Sequence, residues 1–169
     1  MDQHVKELVI VVGLTVVAYY FSRRSDAGLV QNLSRLLTGL LGAFILLGGV
    51  AKFFEPFNTM FSRQISHAQL PFPEISAFAG QFGEIFSGLI LVGFFLFGRQ
   101  LAESPWAKLF NLANLTVVII MLVAVYVHLH PDVPAEVLPL QSKPPVLTIV
   151  IMLLAIVNIW LRRLASKRN

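Results

Sequence analysis

The sequence predicts an all-α membrane protein, folded as a transmembrane helix bundle of five spans. The first observation is composition: hydrophobic residues make up 56% of the chain and charged residues 13%, about half the charged share of an ordinary soluble domain. The second is distribution, because the hydrophobic residues form long runs, each close to the ~20 residues that cross a hydrocarbon core as a helix. Such a chain is expected to bury its surface in lipid.

The predicted spans cover residues 5–21, 36–54, 75–98, 109–129 and 146–161. They are apolar on all sides, whereas a membrane-barrel strand alternates apolar and polar residues, so helices are predicted. A secretory signal is an alternative for the first run, but Arg23 and Arg24 follow it without a small-residue cleavage site, which favours an uncleaved anchor. We therefore divide the chain into an N-terminal transmembrane anchor with a cytoplasmic loop, residues 1–34, and a four-helix membrane domain, residues 35–169.

Positive charges predict the direction of the spans, because loops rich in Lys and Arg stay in the cytoplasm. With five spans, one side holds most of the 13 basic residues, namely Arg23, Arg24, Arg35, Arg99, Lys108, Arg162, Arg163, Lys167 and Arg168. The other side holds Lys6, Lys52, Arg63 and Lys143. Trp106 and Trp160 fall at the basic boundary, which indole rings favour. We expect a multi-pass protein of the bacterial cytoplasmic (inner) membrane, with its N-terminus outside and its C-terminus in the cytoplasm.

The longest outer loop predicts a short amphipathic helix at about residues 57–68. Apolar residues recur on one helical face, at Phe57, Met60, Phe61, Ile65 and Ala68. We expect this helix to lie flat in the outer membrane interface with its apolar face down, and the prolines at 71 and 73 to separate it from the next span. The other outer loop, residues 130–145, is rich in proline and is expected to be extended and full of turns.

Small residues predict that the second and third spans pack closely, because lipid supplies no hydrophobic force between helices. Gly48 and Gly49 lie one turn before Lys52 on the second span. The third span carries two adjacent stripes, Ala79, Gly83 and Ser87, and Gly80, Glu84 and Gly88. The alternative is that these residues reflect only the general abundance of Gly in membrane helices.

Four polar residues in or beside the spans are the candidate site: Lys52, Gln81, Glu84 and His128. An ionised carboxylate at mid-span costs ~2.5–3.5 kcal/mol on insertion scales, so Glu84 is expected to face the bundle interior and to need a partner. From the rise of a helix, Lys52 lies about 10 Å, Glu84 about 4 Å and His128 about 13 Å outward of the span centres. Gln81 lies one turn outward of Glu84, so all four residues fall in the outer half of the membrane, where they can converge.

Three interpretations of this cluster remain open. Lys52 and Glu84 can form an ion pair that only fixes which faces of two helices meet. The cluster can instead line a pocket, open toward the outer surface, for a quinone headgroup, a proton or a small solute. In the third interpretation Lys52 reaches the interface alone and burial keeps Glu84 protonated.

Other chemistry is not indicated. Cysteine is absent, which excludes thiol and disulfide chemistry and cysteine-based metal sites, and no nucleophile triad, phosphate loop or zinc motif occurs. His128 and His130 resemble half of a metal site, but an interfacial histidine is the stronger interpretation. Asn114, Met121 and His128 recur every seven residues, which is typical of a packing seam. The net charge of +4 is better explained by lipid headgroups than by nucleic acid.

The stretch from Arg35 to His130 resembles the DoxX family of small bacterial membrane proteins. The segments that carry the resemblance are RLLTGLLGAFILLGGVAKFFEP, LPFPEISAFAGQFGEIFSGLILVGFF and VAVYVHLH. The resemblance implies a four-helix bundle with both ends in the cytoplasm, to which the N-terminal span here would be an addition. The family's recurring Lys and Glu match Lys52 and Glu84, and its recurring His resembles His128. It further implies an association with quinone-linked oxidation or with complexes that counter oxidative stress.

The resulting hypothesis is a membrane subunit or anchor without independent catalytic activity that associates with a membrane oxidoreductase and contributes a quinone-facing cavity. A small proton-coupled solute carrier, with Glu84 as the titrating group, is the first alternative, although no repeats with paired broken helices support it. A purely structural interaction scaffold is the second. Partners are expected to be the bilayer, an oxidoreductase subunit and further copies of the chain.

Overall fold

The computed structural model describes residues 28–98 and 106–166. The helices are α1 (Leu29–Ala51), α2 (Phe57–His67), α3 (Pro73–Phe97), α4 (Trp106–Leu129) and α5 (Val146–Ser166), with short 3-10 turns at Ala135–Val137 and Pro139–Gln141. In length and composition, α1, α3, α4 and α5 are suited to crossing a membrane. The all-helical prediction is confirmed for these residues, and the predicted first span, residues 5–21, lies outside them.

Helix α1 begins upstream of the predicted boundary at residue 36. The carbonyl of Gly28 accepts the amides of Gln31 at 2.9 Å and Asn32 at 3.2 Å, which closes a first helical turn. Arg35, expected just before the second span, is therefore helical, and its Nε donates to the carbonyl of Phe95 at 3.1 Å. The boundary at residues 34 and 35 thus falls inside α1.

The other helix boundaries follow local sequence signals. Helix α3 begins at Pro73, where the missing N–H costs no helical hydrogen bond, and Glu74 complements the positive end of the helix dipole. Gln69 and Phe72, between α2 and α3, have positive φ angles, which helices do not tolerate. Of the two prolines predicted to separate these helices, Pro71 lies between them and Pro73 is the first residue of α3.

The four long helices are arranged as a ring in the order α1, α3, α4 and α5, and the α1–α3 contact is the most extensive. The predicted pairing of the second and third spans is thereby confirmed. A Cβ atom on Gly88 would lie 2.6 Å from the backbone nitrogen of Leu46, and one on Gly42 would lie 2.8 Å from that of Val92. Only glycine permits so close an approach of the two backbones.

The core lies inside this ring, and apolar side chains also cover its outside. The main buried cluster includes Leu41, Ile45, Leu91, Phe94, Phe110, Val117, Met121 and Ile151. Large apolar side chains are also exposed, such as Leu47 at 67% and Phe86 at 61%. Apolar side chains on the outside suit a lipid surrounding.

One end of the bundle is closed by a cap, which we define as α2 together with residues 130–145. Ala68, Val127, Val133, Val137 and Leu138 form a second buried cluster there. The Gln64 amide donates to the carbonyl of Val137, and Lys143 donates to the carbonyls of His130 and Val133. The proline-rich loop is thus folded back over the bundle, with two 3-10 turns within it.

Candidate ligand cavity

Lys52 and Glu84 form an ion pair between α1 and α3. Lys52 directly follows α1 as its C-cap, and Glu84 lies near the middle of α3. The ammonium group bonds the Oε2 atom of Glu84, with side-chain exposures of 18% and 10% respectively. It also lies 4.7 Å from the ring centroid of Phe61, at cation–π distance. The Glu84 carboxylate therefore faces inward, as predicted from its depth in the span, and Lys52 is its partner.

Glycines on α1 make room for this carboxylate. A Cβ on Gly48 would lie 3.8 Å from Glu84 Oε2, and one on Gly49 would lie 3.1 Å from Glu84 Cβ. The side of α1 that carries Gly48 and Gly49, one turn before Lys52, is therefore the side that contacts Glu84. Larger side chains at Gly49 would push α3 away and separate the two charges.

A cavity of about 670 Å³ lies between the four long helices and the cap. The cavity is lined by Lys52 at the end of α1, Glu84 on α3 and His128 on α4. Its walls are otherwise mainly apolar, with side chains such as Phe44, Ile120 and Ile151. The structure therefore brings three of the four candidate residues to one cavity.

Gln81 is the exception. It does not line the cavity, and its amide donates to the carbonyl of Gly49 at 3.4 Å. Gln81 and Glu84 are three residues apart, so their side chains point in directions about 60° apart around the helix axis. Gln81 consequently faces the backbone of α1, whereas Glu84 faces the cavity.

Helix α2 covers the cavity. Phe57, Met60, Phe61 and Ile65, four of the five residues on its predicted apolar face, line the cavity, and Ala68 is buried in the cap. The apolar face is thus turned toward the bundle, where it also holds the ring that contacts Lys52. The cap and the ion pair are therefore parts of one site.

His128 occupies the cavity wall on α4. It is 4% exposed, and its Nε2 lies 3.5 Å from the hydroxyl of Thr148 on α5, the upper limit for a hydrogen bond. Its Nδ1 is buried and has no hydrogen-bond partner within residues 28–98 and 106–166. Sequence reasoning missed Thr148, although its place near the start of the last span, at a depth similar to that of His128, was a usable signal.

A second polar cluster joins three helices at a distance from the cavity. Asn158 donates to the Oδ1 atom of Asn114 at 3.0 Å and accepts from the Thr38 hydroxyl at 2.9 Å, and all three side chains are buried. Asn114 was predicted only as part of a packing seam with Met121 and His128, and these three residues are indeed buried. Asn158 was missed, although an Asn inside an apolar run needs a partner as Glu84 does.

The cavity has the features of a small-molecule binding site. Within the described residues, no group of three or more His, Asp or Glu side chains is placed to hold a metal ion. Lys52 and Glu84 neutralise each other, and the rest of the lining is apolar or weakly polar. Such a cavity suits a small amphipathic molecule with an uncharged polar group.

Comparison with known proteins finds no matching family model, no similar curated protein and no similar solved structure. The DoxX resemblance therefore stays a prediction from the sequence motifs.

Proposed function

We propose that the chain is a membrane subunit or anchor that associates with an oxidoreductase or an oxidative-stress complex and binds a quinone in its cavity. The observation that carries the proposal is the convergence of Lys52, Glu84 and His128 on one cavity of about 670 Å³. In this proposal the partner carries out catalysis.

Size and polarity support a quinone-like ligand. Cavities that bind small molecules typically measure about 300–1,000 Å³ and combine apolar walls with a few placed polar groups. The cavity lies within that range, and its ionisable lining groups within the described chain are Lys52, Glu84 and His128. A quinone matches this pattern, since its ring is flat and apolar and its carbonyl oxygens accept hydrogen bonds.

The absence of net charge favours a neutral ligand over an anionic lipid. The ammonium of Lys52 is already paired with the carboxylate of Glu84, so an incoming carboxylate or phosphate would have to break that pair. Breaking an ion pair that is largely shielded from water leaves one uncompensated charge, which costs several kcal/mol. An uncharged headgroup avoids this cost.

The proposal includes the setting predicted from the sequence. The chain would belong to the DoxX family and lie in a bacterial inner membrane, with the span at residues 5–21 added to the four-helix bundle. The basic ends of the helices would face the cytoplasm and the cap would face outward, with α2 at the membrane interface. Arg162, which lies 4.5 Å and 4.4 Å from the ring centroids of Phe94 and Phe110, would then be near the cytoplasmic side.

Isolation from native membranes tests this proposal. A tagged chain is extracted in a mild detergent, its co-purifying proteins are identified, and its lipids are extracted for mass spectrometry. The expected result is an oxidoreductase subunit together with quinone in near-stoichiometric amount. Absence of both the oxidoreductase subunit and the quinone from a folded, gently washed preparation would contradict the proposal.

A structural scaffold is the second candidate, and the position of the ion pair favours it. Lys52 and Glu84 join α1 to α3 beside Gly49, within the most extensive helix contact of the described residues, so the pair can serve only to fix the register of these helices. The scaffold predicts that replacing both residues with apolar ones preserves partner association. The quinone proposal predicts a changed ligand occupancy in the same variant.

A further inference from the structure

The Glu84 carboxylate uses only part of its hydrogen-bonding capacity within the protein. Its Oε2 atom bonds the ammonium of Lys52, and no hydrogen bond from the described residues reaches its Oε1 atom. Among the buried side-chain nitrogen and oxygen atoms of these residues, only the Nδ1 atom of His128 lacks a partner. Oε1 also lacks a partner and is therefore not buried. It is an accessible acceptor, because an ionised carboxylate accepts hydrogen bonds at both oxygens and donates none.

The open space beside this carboxylate belongs to the cavity. Glu84 lines the cavity together with Gly48 and Gly80. Gly80 lies one turn before Glu84 on α3, and a Cβ there would approach only the Phe61 ring, at 4.0 Å. A Cβ on Gly48 would approach only the Oε2 atom of Glu84, at 3.8 Å. No side chain from either glycine separates the carboxylate from the cavity, so a bound molecule can reach it.

The other polar side chains of the cavity wall offer weaker contacts. The hydroxyl groups of Ser76 and Thr116 donate to backbone carbonyls at 2.8 Å and 3.0 Å, and the Gln64 amide donates to the cap. The ammonium of Lys52 is bonded to Glu84, which is the only carboxylate among the described lining residues. Hydrogen bonds to an ionised acceptor are about twice as strong as bonds between neutral groups. The wall therefore offers its strongest contact to a hydrogen-bond donor.

We infer that the cavity prefers the reduced, hydroxyl-bearing form of its ligand, a quinol, with one hydroxyl group donating to Oε1 of Glu84. The inference rests on the proposed function and names the redox form that the same site favours. A quinone carries only acceptors, so its carbonyl oxygen would face Oε1 without a proton between them. A quinol supplies that proton, and its uncharged head leaves the ion pair intact.

The ion pair sets this preference. By bonding Oε2, the ammonium of Lys52 stabilises the ionised carboxylate, whose other oxygen can then only accept. An amide in place of the carboxylate would change the polarity of the contact. Its oxygen could accept from Lys52 while its NH₂ group donated into the cavity, toward the carbonyl of a quinone.

Equilibrium binding by the full chain in phosphatidylcholine nanodiscs, under anaerobic conditions, tests the inference. The probes are decylubiquinol, decylubiquinone and the dimethyl ether of decylubiquinol, in which methyl groups replace both hydroxyl protons. The wild type should bind decylubiquinol at least about tenfold more tightly than either of the other two, the effect of one hydrogen bond to a charged group. Equal binding of decylubiquinol and decylubiquinone, or of decylubiquinol and its ether, would overturn the inference.

Two variants assign the preference to Glu84. In Glu84→Gln the preference for decylubiquinol over decylubiquinone should fall to about threefold or less, because the amide also offers a donor. Thr116→Val is the matched control, since Thr116 lines the cavity but its hydroxyl donates to the carbonyl of Leu112. This control should keep the wild-type preference. A folded Glu84→Gln variant with the wild-type preference would refute the role of Glu84.

The comparison of the three probes needs only the wild-type protein, so it decides the inference even if Glu84→Gln does not fold. A wild type that binds decylubiquinone as tightly as decylubiquinol would refute the preference for the quinol and leave the proposed function intact. A wild type that binds none of the probes would refute the proposed function, and the inference with it.

Discussion

The ammonium group of Lys52 and the carboxylate of Glu84 form an ion pair that joins the end of α1 to the middle of α3. The pair lies at the wall of the cavity and beneath the Phe61 ring of α2. It thereby connects helix packing, the ligand cavity and the cap. Its removal should distinguish a packing role from a binding role.

Single and double replacements of the pair should differ in how strongly they destabilise the bundle. Lys52→Met or Glu84→Leu alone leaves one charge in a largely apolar site, and each should lower the free energy of unfolding by about 3 kcal/mol. The double variant should be less destabilised than either single variant, because no unpaired charge remains. Unfolding from mixed micelles by added SDS measures these differences. Equal damage in all three variants would contradict the pairing.

Glycine replacements on α3 should separate close packing from helix propensity. Gly88→Ala places a Cβ against the backbone of Leu46 and should destabilise the bundle by about 1–3 kcal/mol. Gly93→Ala is the matched control, because its Cβ would meet no atom within 4 Å. The same unfolding assay should find the control unchanged or slightly more stable. A Gly88→Ala variant as stable as the control would refute the close α1–α3 contact.

The buried amide network should contribute to stability independently of the cavity. Asn158→Leu removes one hydrogen-bond partner each from Thr38 and Asn114 and should cost about 1–2 kcal/mol in unfolding free energy. Asn111→Leu, a like replacement on α4 outside the network, is the control. Quinone binding should be unaffected by either change. Weakened binding by a fully folded Asn158→Leu variant would contradict this separation.

The cap should loosen without unfolding the bundle when its polar connection is removed. Gln64→Leu deletes the bond to the carbonyl of Val137, so amide hydrogen exchange in α2 should become about three- to tenfold faster. Exchange in α1 and α3 should be unchanged. Arg63→Leu, at an exposed neighbouring position, is the control. Exchange that rises equally in both variants would show that the Gln64 contact does not hold the cap.

The parts of the fold that lipid itself dictates were predictable from sequence. Long apolar runs must form helices because a bilayer core offers no hydrogen-bond partner to the backbone, and Glu84 must face inward because its charge is costly in lipid. The same argument anticipates a partner for Glu84, and the small residues of α1 and α3 indicate which helices meet. These predictions needed no knowledge of atomic positions.

Other features depend on packing that hydropathy does not encode. The first turns of α1 carry polar residues, so averaging over a window starts that span too late, at residue 36. Gln81 and Glu84 have similar depths, but their different angles around the helix send one to a backbone carbonyl and the other to the cavity. Asn158 is a single polar residue in an apolar run, and its partners lie on two other helices.

Blocking the cavity tests the central claim most directly. Gly80 lines the cavity, and a Cβ there would approach only the tip of the Phe61 ring, at 4.0 Å, so Gly80→Leu should fill the space without moving the backbone. Gly93→Leu adds the same side chain where nothing lies within 4 Å of the Cβ. Equilibrium binding of decylubiquinone in nanodiscs should be at least about tenfold weaker for Gly80→Leu. The leucine side chain would occupy space in which the ligand otherwise buries apolar surface, and that loss exceeds the free energy of a single hydrogen bond. The Gly93→Leu variant should bind like the wild type. Equal binding by the wild type and both variants, or no binding by the wild type, would contradict a ligand site in this cavity.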